Sequence, residues 1–553
     1  MTPQRREERM AEWWRGAVMY QIYPRSFLDT NGDGIGDLAG ITARLDYVAG
    51  LGVDGIWLSP FAKSPMKDFG YDVSDYCDVD PLFGTLDDFD RLLRAAHDRG
   101  LKVIMDMVLS HTSDRHPWFQ ESRASRGTAK ADWYVWADAK PDGTPPNNWL
   151  SVFGGSSWQW DTRRQQYYLH NFLASQPDLN LHNPDVVDAV FDAVAFWLDR
   201  GVDGFRLDTA NFYLHDPQLR DNPPRPPSAG NAPDVPLTNP YGRQYHVYDK
   251  SRPENLEFLR KLRRVLDRYP DRMTVGEVAC DAGVKRIAEY CAGNDLLHTA
   301  YSFDLLSPGF SAAKIRGAVT AFFDEPGGGW PAWAFSNHDV IRAVTRWGGD
   351  SPAGASAALA KQLLALLTSL PGTPFLYQGE ELALPEAEIA FEDLQDPYGI
   401  EFWPVFKGRD GCRTPMPWQH DAPAGGFSTG KPWLPVVPAH LERAVSRQEG
   451  DPASPLAFAR SFLRWRKTRP ALIHGRASFF DTPEPLLAFE RKTAGERLLC
   501  LFNLGADPAR WTPPAVALTP LDTGAAAHGL QGRLENGSVL LPGHGIFHAV
   551  LDR

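Results

Sequence analysis

Cysteine is scarce and scattered in this chain: Cys77, Cys280, Cys291, Cys412 and Cys500 are five in 553 residues. The number is odd and no pair has C-x-x-C spacing, which argues against a disulfide framework and against a zinc site. No run of about eighteen apolar residues occurs anywhere, so no membrane span is expected. Met1 to Gly16 is strongly charged and lacks the apolar stretch of a signal peptide, so a cytoplasmic protein is expected. Positive charge is in deficit, 57 Lys and Arg against 69 Asp and Glu for a formal −12, which argues against a nucleic-acid surface.

What is present is an ordinary soluble composition, 43% hydrophobic and 23% charged, in a chain long enough for several domains. Short apolar runs bounded by Gly or Pro alternate with helical periodicity, the signature of βα units. Strands are expected at Val18–Phe27, Asp54–Leu58, Lys102–Val108, Gly204–Asp208, Met273–Glu277, His298–Asp304, Ala332–Asp339 and Pro374–Gln378. Helices are expected at Leu38–Leu51, Thr85–Arg99, Asp185–Arg200 and Glu254–Tyr269. Thr85 and Asp88 fit a capping pattern, and the stripe Phe89, Leu92, Leu93 and Ala96 would face the core.

Eight strands in such alternation predict an α/β fold, a TIM (β/α)8 barrel. The alternation breaks between about residues 110 and 180, rich in Trp, Pro, Gly and Asn, where an irregular inserted domain is expected after strand 3. From about residue 475, short alternating runs such as Leu498–Phe502 and Gly545–Val550 predict a C-terminal all-β domain. The resulting division is barrel 1–109, inserted domain 110–179, barrel 180–474 and a C-terminal β-sandwich 475–553. The long Pro- or acid-rich segments 221–240 and 381–410 belong to loops at the barrel mouth.

Three carboxylates close three of the strand candidates: Asp208, Glu277 and Asp339. In a parallel barrel the C-terminal strand ends converge on one mouth, so these acids should face one another. Paired carboxylates across a pocket are what glycoside hydrolysis uses. Eighteen Trp, seventeen Tyr and thirty Phe give weak further support, since sugar faces stack on aromatic rings. Arg206 and Asp208 alternate on one face of their strand, with Phe205 and Leu207 on the other. A guanidinium there is expected to lower the Asp208 pKa, leaving Glu277 with the raised one.

The ordered motifs Asp106–His111, Gly204–Asp208, Gly276-Glu277-Val278 and Asn337-His338-Asp339 resemble the α-amylase superfamily of retaining α-glycosidases, in its oligo-1,6-glucosidase and α-glucosidase branch. Gly70-Tyr71-Asp72 and Arg413–Trp418 are further markers of the branch. The resemblance implies Asp208 as nucleophile, Glu277 as general acid/base and Asp339 as stabiliser of the transition state. It implies that Asp72 and Arg409 hold the non-reducing glucose, that Tyr71 stacks under it, and that His111, Arg206 and His338 hydrogen-bond around it. Phe172 and Gln176 resemble further pocket-lining positions. Position 110 departs from the pattern, with Ser where Asn is usual.

Thr209 follows the nucleophile, where the branch has Val in α-1,6-cleaving members and a small polar residue in α-1,4-cleaving ones. The expectation is therefore an exo-acting retaining α-glucosidase for short α-1,4 glucosides such as maltose, and sucrose, with transglucosylation to sugar or alcohol acceptors. The alternatives are an oligo-1,6-glucosidase and a sucrose or maltose isomerase. A monomer or homodimer without an organic cofactor is expected.

Asp29-Thr30-Asn31-Gly32-Asp33-Gly34-Ile35-Gly36-Asp37 places oxygen donors at alternate positions, with Ile35 offering its carbonyl. Gly40 stands where an EF-hand would have its twelfth-position Glu, so this is not an EF-hand. The resemblance implies a structural Ca2+ or Mg2+ bound by Asp29, Asn31, Asp33, Ile35 and Asp37.

Overall fold

All eight expected barrel strands are present in the computed structural model, which describes residues 12–230, 235–348, 356–514 and 517–551. They are β1 (Met19–Ile22), β2 (Gly55–Leu58), β3 (Lys102–Met107), β4 (Gly204–Leu207), β5 (Met273–Val278), β6 (Thr299–Ser302), β7 (Ala332–Ala334) and β8 (Thr373–Tyr377). Every pairing is parallel, in the order β6-β5-β4-β3-β2-β1-β8-β7, and a parallel bridge from Ala300 to Pro331 joins the two ends into a barrel. Residues 1–11 of the first segment and 231–234 of the 221–240 loop lie outside the described residues.

Strands β1 and β7 end well short of their apolar runs. Strand β1 stops at Ile22 because Pro24 fixes φ and opens a tight turn over Pro24–Ser26. Strand β7 stops at Ala334, so Asn337, His338 and Asp339 stand on the loop above the barrel rather than on the strand. The expected helix Leu38–Leu51 is two, α1 (Leu38–Ala43) and α2 (Leu45–Leu51), broken where Arg44 leaves helical geometry at φ −110° and ψ 8°. Helix α3 (Leu86–His97) carries the full capping box between Thr85 and Asp88 and buries the stripe Phe89, Leu92, Leu93 and Ala96. In α5 (Pro184–Arg200), Asn183 caps the start, Pro184 opens the first turn and Gly201 ends the helix in the left-handed conformation. Its Val187, Val190, Val194, Trp197 and Leu198 are buried, each Val or Leu contributing about 1.5–3 kcal/mol.

Strand alternation divides the core in two. Phe205 and Leu207 of β4 pack outward with the helices, in one cluster with Val190 and Val194. Met19, Trp57, Ile104, Met273, Val275, Tyr301 and Phe375 fill the barrel interior. Asp106, Arg206 and Glu277 lie on inward-facing positions, in register as Ile104 opposite Gly204, Asp106 opposite Arg206 and Glu277 opposite Tyr301. The polar site therefore sits directly on an apolar plug.

The inserted segment is more regular than expected. It holds a helix, α4 (Pro117–Ala124), and an antiparallel three-stranded sheet of Trp136–Ala137, Gln166–Leu169 and Trp158–Asp161. Trp149 and Trp158 stack at 6.0 Å and pack with Val135 and Leu169, so these rings form a core rather than a sugar platform. Bridges from His111 to Asp178 and from Tyr134 to Leu179 bring the end of the segment back against its earlier parts.

At the C-terminal end, a five-stranded antiparallel sheet (Arg476–Phe479, Leu486–Lys492, Arg497–Asn503, Ile546–Leu551, Leu518–Pro520) faces a three-stranded one (Ala509–Trp511, Ser538–Leu541, Arg533–Glu535). Leu486, Ala488, Leu499 and Leu501 meet Trp511, Val539 and Leu541 between the sheets. The alternate residues Leu487, Phe489, Leu498, Cys500 and Phe502 join the barrel's outer core instead. Among the described residues, no helix is long and apolar enough to cross a membrane.

Candidate active site

Glu277 lies within β5, Asp208 immediately follows β4, and Asp339 sits in the loop after β7. Between the first two stands Arg206, completely buried. Its Nη1 donates to Asp208 Oδ1 and to Asp106 Oδ1, both at 2.6 Å, and its Nη2 lies 2.5 Å from Glu277 Oε1. Tyr301 OH accepts from Arg206 and donates to Glu277 Oε1 at 3.0 Å.

This geometry corrects the expectation that Arg206 singles out Asp208. One guanidinium serves three buried carboxylates, Asp106, Asp208 and Glu277. Burial therefore outweighs the cation for each of them: Asp208 and Glu277 are both pushed up to about 7, and Asp106 to about 6. The Asp208 carboxyl is raised, not lowered. The three carboxyls titrate as a group, so which one is ionised depends on the charges of the others.

A second layer gathers around Asp339. Its Oδ1 accepts from Arg413 Nη2 at 2.9 Å and Arg409 Nη1 at 3.2 Å. Burial would raise this carboxyl, but the Arg409 and Arg413 guanidinium groups paired with it outweigh burial and hold Asp339 well below the usual carboxylate range. His338 is fully buried, and burial keeps it neutral. Gln21 Nε2 donates to His338 Nδ1 at 2.8 Å, so the ring's proton is on Nε2, 2.5 Å from Tyr71 OH. Tyr71 OH then donates to Asp106 Oδ2 at 3.2 Å, while its ring stacks on His338 at 5.5 Å.

Arg409 is where the structure departs most from the sequence reading. Its carboxylate partners are Asp396, at 2.7 Å, and Asp68, at 2.9 Å, together with Asp339. Asp72 is not among them. That carboxylate is turned into its own loop, accepting from Ser64 Oγ at 2.8 Å and from the backbone N–H groups of Lys67 and Asp68, both at 3.0 Å. Asp72 holds the turn that presents Asp68; the place beside Arg409 belongs to Asp68.

The inserted domain reaches the same point. Gln176 Nε2 donates to Asp68 Oδ2 at 3.1 Å and lies 3.3 Å from His111 Nε2. Phe172 packs on the His111 ring at 5.2 Å. Thr209 Oγ1 donates to Asp208 Oδ2, and Thr209 N to Glu277 Oε2, both at 3.3 Å. Asp208, Glu277, Asp339, Tyr71, His111, Phe172, Gln176, Arg206, Thr209, His338 and Arg409 thus form one connected constellation, with Asp72 one step behind it.

Sequence reasoning missed Asp68, Asp106, Asp396, Arg413, Tyr301 and Gln21 as parts of this site. Asp106 could have been found, since it alternates with Ile104 on a strand whose inward face was legible. Asp396 lay in an acid-rich loop with nothing local to single it out.

The metal loop is closed on itself. Asp29 accepts from the N–H groups of Asn31, Gly32 and Gly34 and from Ser428 Oγ, and Asp37 accepts from Thr30 and Gly40. Burial would raise the Asp29 carboxyl, but Ser428 and the backbone donors hold it below its ordinary value. The all-oxygen donor set suits a hard cation. Among the described residues, however, no three acidic, His or Cys side chains converge on one point. A cation here would depend on the Asn31 amide oxygen and backbone carbonyls as much as on carboxylates.

Carboxylates brought together at the C-terminal mouth of a TIM barrel are what glycoside hydrolysis uses, and comparison with known proteins identifies the family. The chain belongs to the alpha-amylase family: the family model for the alpha amylase catalytic domain matches residues 21–475. It is 58% identical to a "Probable alpha-glucosidase" of Rhizobium meliloti, over 98% of this chain and 97% of that one. It is 39% identical to an oligo-1,6-glucosidase of Heyndrickxia coagulans, covering 91% of this chain and 94% of the relative. Among solved structures, an alpha-glucosyl transfer enzyme, XgtA, superposes with a TM-score of 0.95 at 58% identity, covering 98% of this chain and all (100%) of its own. The trehalulose synthase MutB of Pseudomonas mesoacidophila gives a TM-score of 0.87 at 34% identity, with 98% and 100% covered. The protein is a glycoside hydrolase.

Proposed function

We propose that this enzyme is an exo-acting, retaining α-glucosidase that releases glucose from the non-reducing end of short α-1,4-linked substrates such as maltose, and that it also transfers glucose to alcohols. The observation that carries the exo reading is the salt-linked group of Asp68, Arg409, Asp396, Asp339 and Arg413, reinforced by Gln176 and His111. In this reading these fixed donors and acceptors hold the hydroxyls of a terminal glucose and block a continuing chain.

In this reading Asp208 attacks the anomeric carbon as Glu277 gives its proton to the departing oxygen. The glycosyl-enzyme so formed is resolved by water, or by an acceptor alcohol, whose proton returns to Glu277. Asp339, held ionised by Arg409 and Arg413, stabilises the positive charge that develops on the ring. Arg206 holds Asp106, Asp208 and Glu277 in fixed positions through one guanidinium. The likeness to an alpha-glucosyl transfer enzyme supports the transfer activity, and Thr209 supports the α-1,4 preference.

A product profile on maltose, isomaltose, sucrose and maltotriose, with and without glycerol, tests the proposal. Glucose from maltose and a glycerol glucoside are expected; a strong isomaltose preference would overturn the linkage assignment. The trehalulose synthase likeness favours a second reading, sucrose isomerisation, which predicts rearranged disaccharide with little free glucose. A structural Ca2+ or Mg2+ in the Asp29–Asp37 loop belongs to the same proposal and rests on the oxygen donor pattern.

A further inference from the structure

Thr209 is strained where it need not be. It adopts φ +41°, in the left-handed region that β-branched residues avoid, at a cost on the order of 1–3 kcal/mol. Such a conformation persists only where its surroundings over-determine it. Here the Thr209 N–H reaches Glu277 Oε2 and the Asp208 N–H is tied to the Met107 carbonyl at 3.1 Å. The Thr209 hydroxyl lies between Asp208 Oδ2, at 3.3 Å, and Ser110 Oγ, at 3.2 Å. Ser110, 3% exposed, is in turn 2.9 Å from His111 Nδ1. The backbone strain thus places one hydroxyl between the second oxygen of the nucleophile and a chain that runs back to a buried histidine.

While the Ser110–Thr209 hydrogen bond is kept, the protons in this chain can run only two ways, because each hydroxyl has one to give. In the first, His111 carries its proton on Nδ1 and donates to Ser110, Ser110 donates to Thr209, and Thr209 donates to Asp208 Oδ2; His111 Nε2 then accepts from Gln176. In the second, His111 Nε2–H donates to the Tyr71 carbonyl, 3.1 Å away, Ser110 donates to His111 Nδ1, and Thr209 donates to Ser110. Asp208 Oδ2 then receives nothing from Thr209. Burial lowers the His111 pKa to about 4, so the ring is neutral at working pH; the first arrangement gives up the bond to the Tyr71 carbonyl and the second the bond from Gln176, so each tautomer loses one partner at Nε2.

The geometry points to Ser110 as a positioning residue that acts through Thr209, turning its hydroxyl on to the nucleophile Asp208 when negative charge returns to that carboxylate. The inference rests on the nucleophile role proposed for Asp208. When the glucosyl-enzyme forms, the carboxylate's electron pair makes the bond to the anomeric carbon, and a hydrogen bond to it is a hindrance. When it breaks down, water attacks the anomeric carbon, Glu277 takes the water's proton, and the C–O bond to Asp208 breaks with its electron pair returning to the carboxylate. A donor on Oδ2 stabilises that returning charge. The chain therefore speeds breakdown, not formation.

Pre-steady-state release of p-nitrophenol from p-nitrophenyl α-D-glucoside separates the two steps. For Thr209→Val, breakdown is expected to slow about tenfold, with a burst and a matching fall in KM that leaves kcat/KM within about twofold. For Ser110→Ala the same pattern is expected at about threefold, and Thr209→Ser should retain wild-type breakdown. On the Thr209→Val background, Ser110→Ala should have no further effect, because its route to Asp208 is gone. Equal losses in kcat and kcat/KM for Ser110→Ala, or a continued loss on the Thr209→Val background, would overturn the inference. Wild-type enzyme without turnover of the glucoside would instead refute the proposed function.

Discussion

Replacing Asp68 by Asn and Asp72 by Asn in parallel separates two carboxylates that share one loop. Asp68 accepts from Arg409 Nη2 at 2.9 Å and from Gln176 Nε2 at 3.1 Å, and is 4% exposed. Removing one partner from a buried ion pair costs about 3–5 kcal/mol. Arg409 keeps Asp396 and Asp339, so the loss at this position should fall lower, at about 2–3 kcal/mol. In the proposed reading Asp68 also holds the glucose, and the same loss in transition-state binding is a fall of roughly 30- to 150-fold in kcat/KM for maltose. Asp72 accepts only from Ser64 and two backbone N–H groups. An amide there leaves one buried N–H without an acceptor, for a loss of about 1–3 kcal/mol in folding stability. Its kcat/KM should fall less than about tenfold, through loosening of the turn. Steady-state kinetics on maltose together with urea unfolding give both readouts. If Asp72→Asn loses more kcat/KM than Asp68→Asn while its unfolding curve is unchanged, the assignment of Asp68 to the pocket is wrong.

Burial raises both Asp208 and Glu277 to about 7, and catalysis needs one ionised and one protonated, so kcat/KM should be bell-shaped with its maximum near neutrality. Activity falls on the acid side as both take protons and on the alkaline side as both lose them; a maximum below pH 5 would refute this balance. Asp178 is buried beside Asn171, with no ion-pair partner among the described residues, and burial pushes its carboxyl up to about 8. A raised carboxyl stabilises the fold fully below its unfolded value of about 4, and that stability is lost as pH rises through about 8. Asp178→Asn should therefore gain on the wild type by up to about 1.4 kcal/mol per pH unit across that window, and parallel stability curves would count against it. Ca2+ at millimolar concentration should raise the melting temperature of the wild type relative to EDTA and leave Asp33→Ala unmoved; equal shifts in both would remove the ion from the Asp29–Asp37 loop.

The chain's own pattern determined the architecture, because barrel strands and their helices are local objects. The runs ending at Asp208 and Glu277, the capping box of Thr85 and Asp88, and the stripe of α5 each depend on residues a few positions apart. The same holds for the three acids, since a strand end in a parallel barrel has only one place to go. The small sheet of the inserted domain was hidden because its strands are two to four residues long, too short for alternation to register.

Tertiary structure alone decided who pairs with whom. Asp68 and Asp72 are equally plausible in sequence, four residues apart on one loop, and only the approach of Arg409 from far along the chain separates them. Arg206 looked like a private partner of Asp208 because the two are near neighbours on one strand. Once β3, β4 and β5 close, it faces Asp106 and Glu277 as well, and burial of three carboxylates around one cation reverses the direction of the Asp208 shift. Ionisation depends on the sum of all neighbouring charges and on the water that the fold removes, and neither is written in any local stretch of sequence.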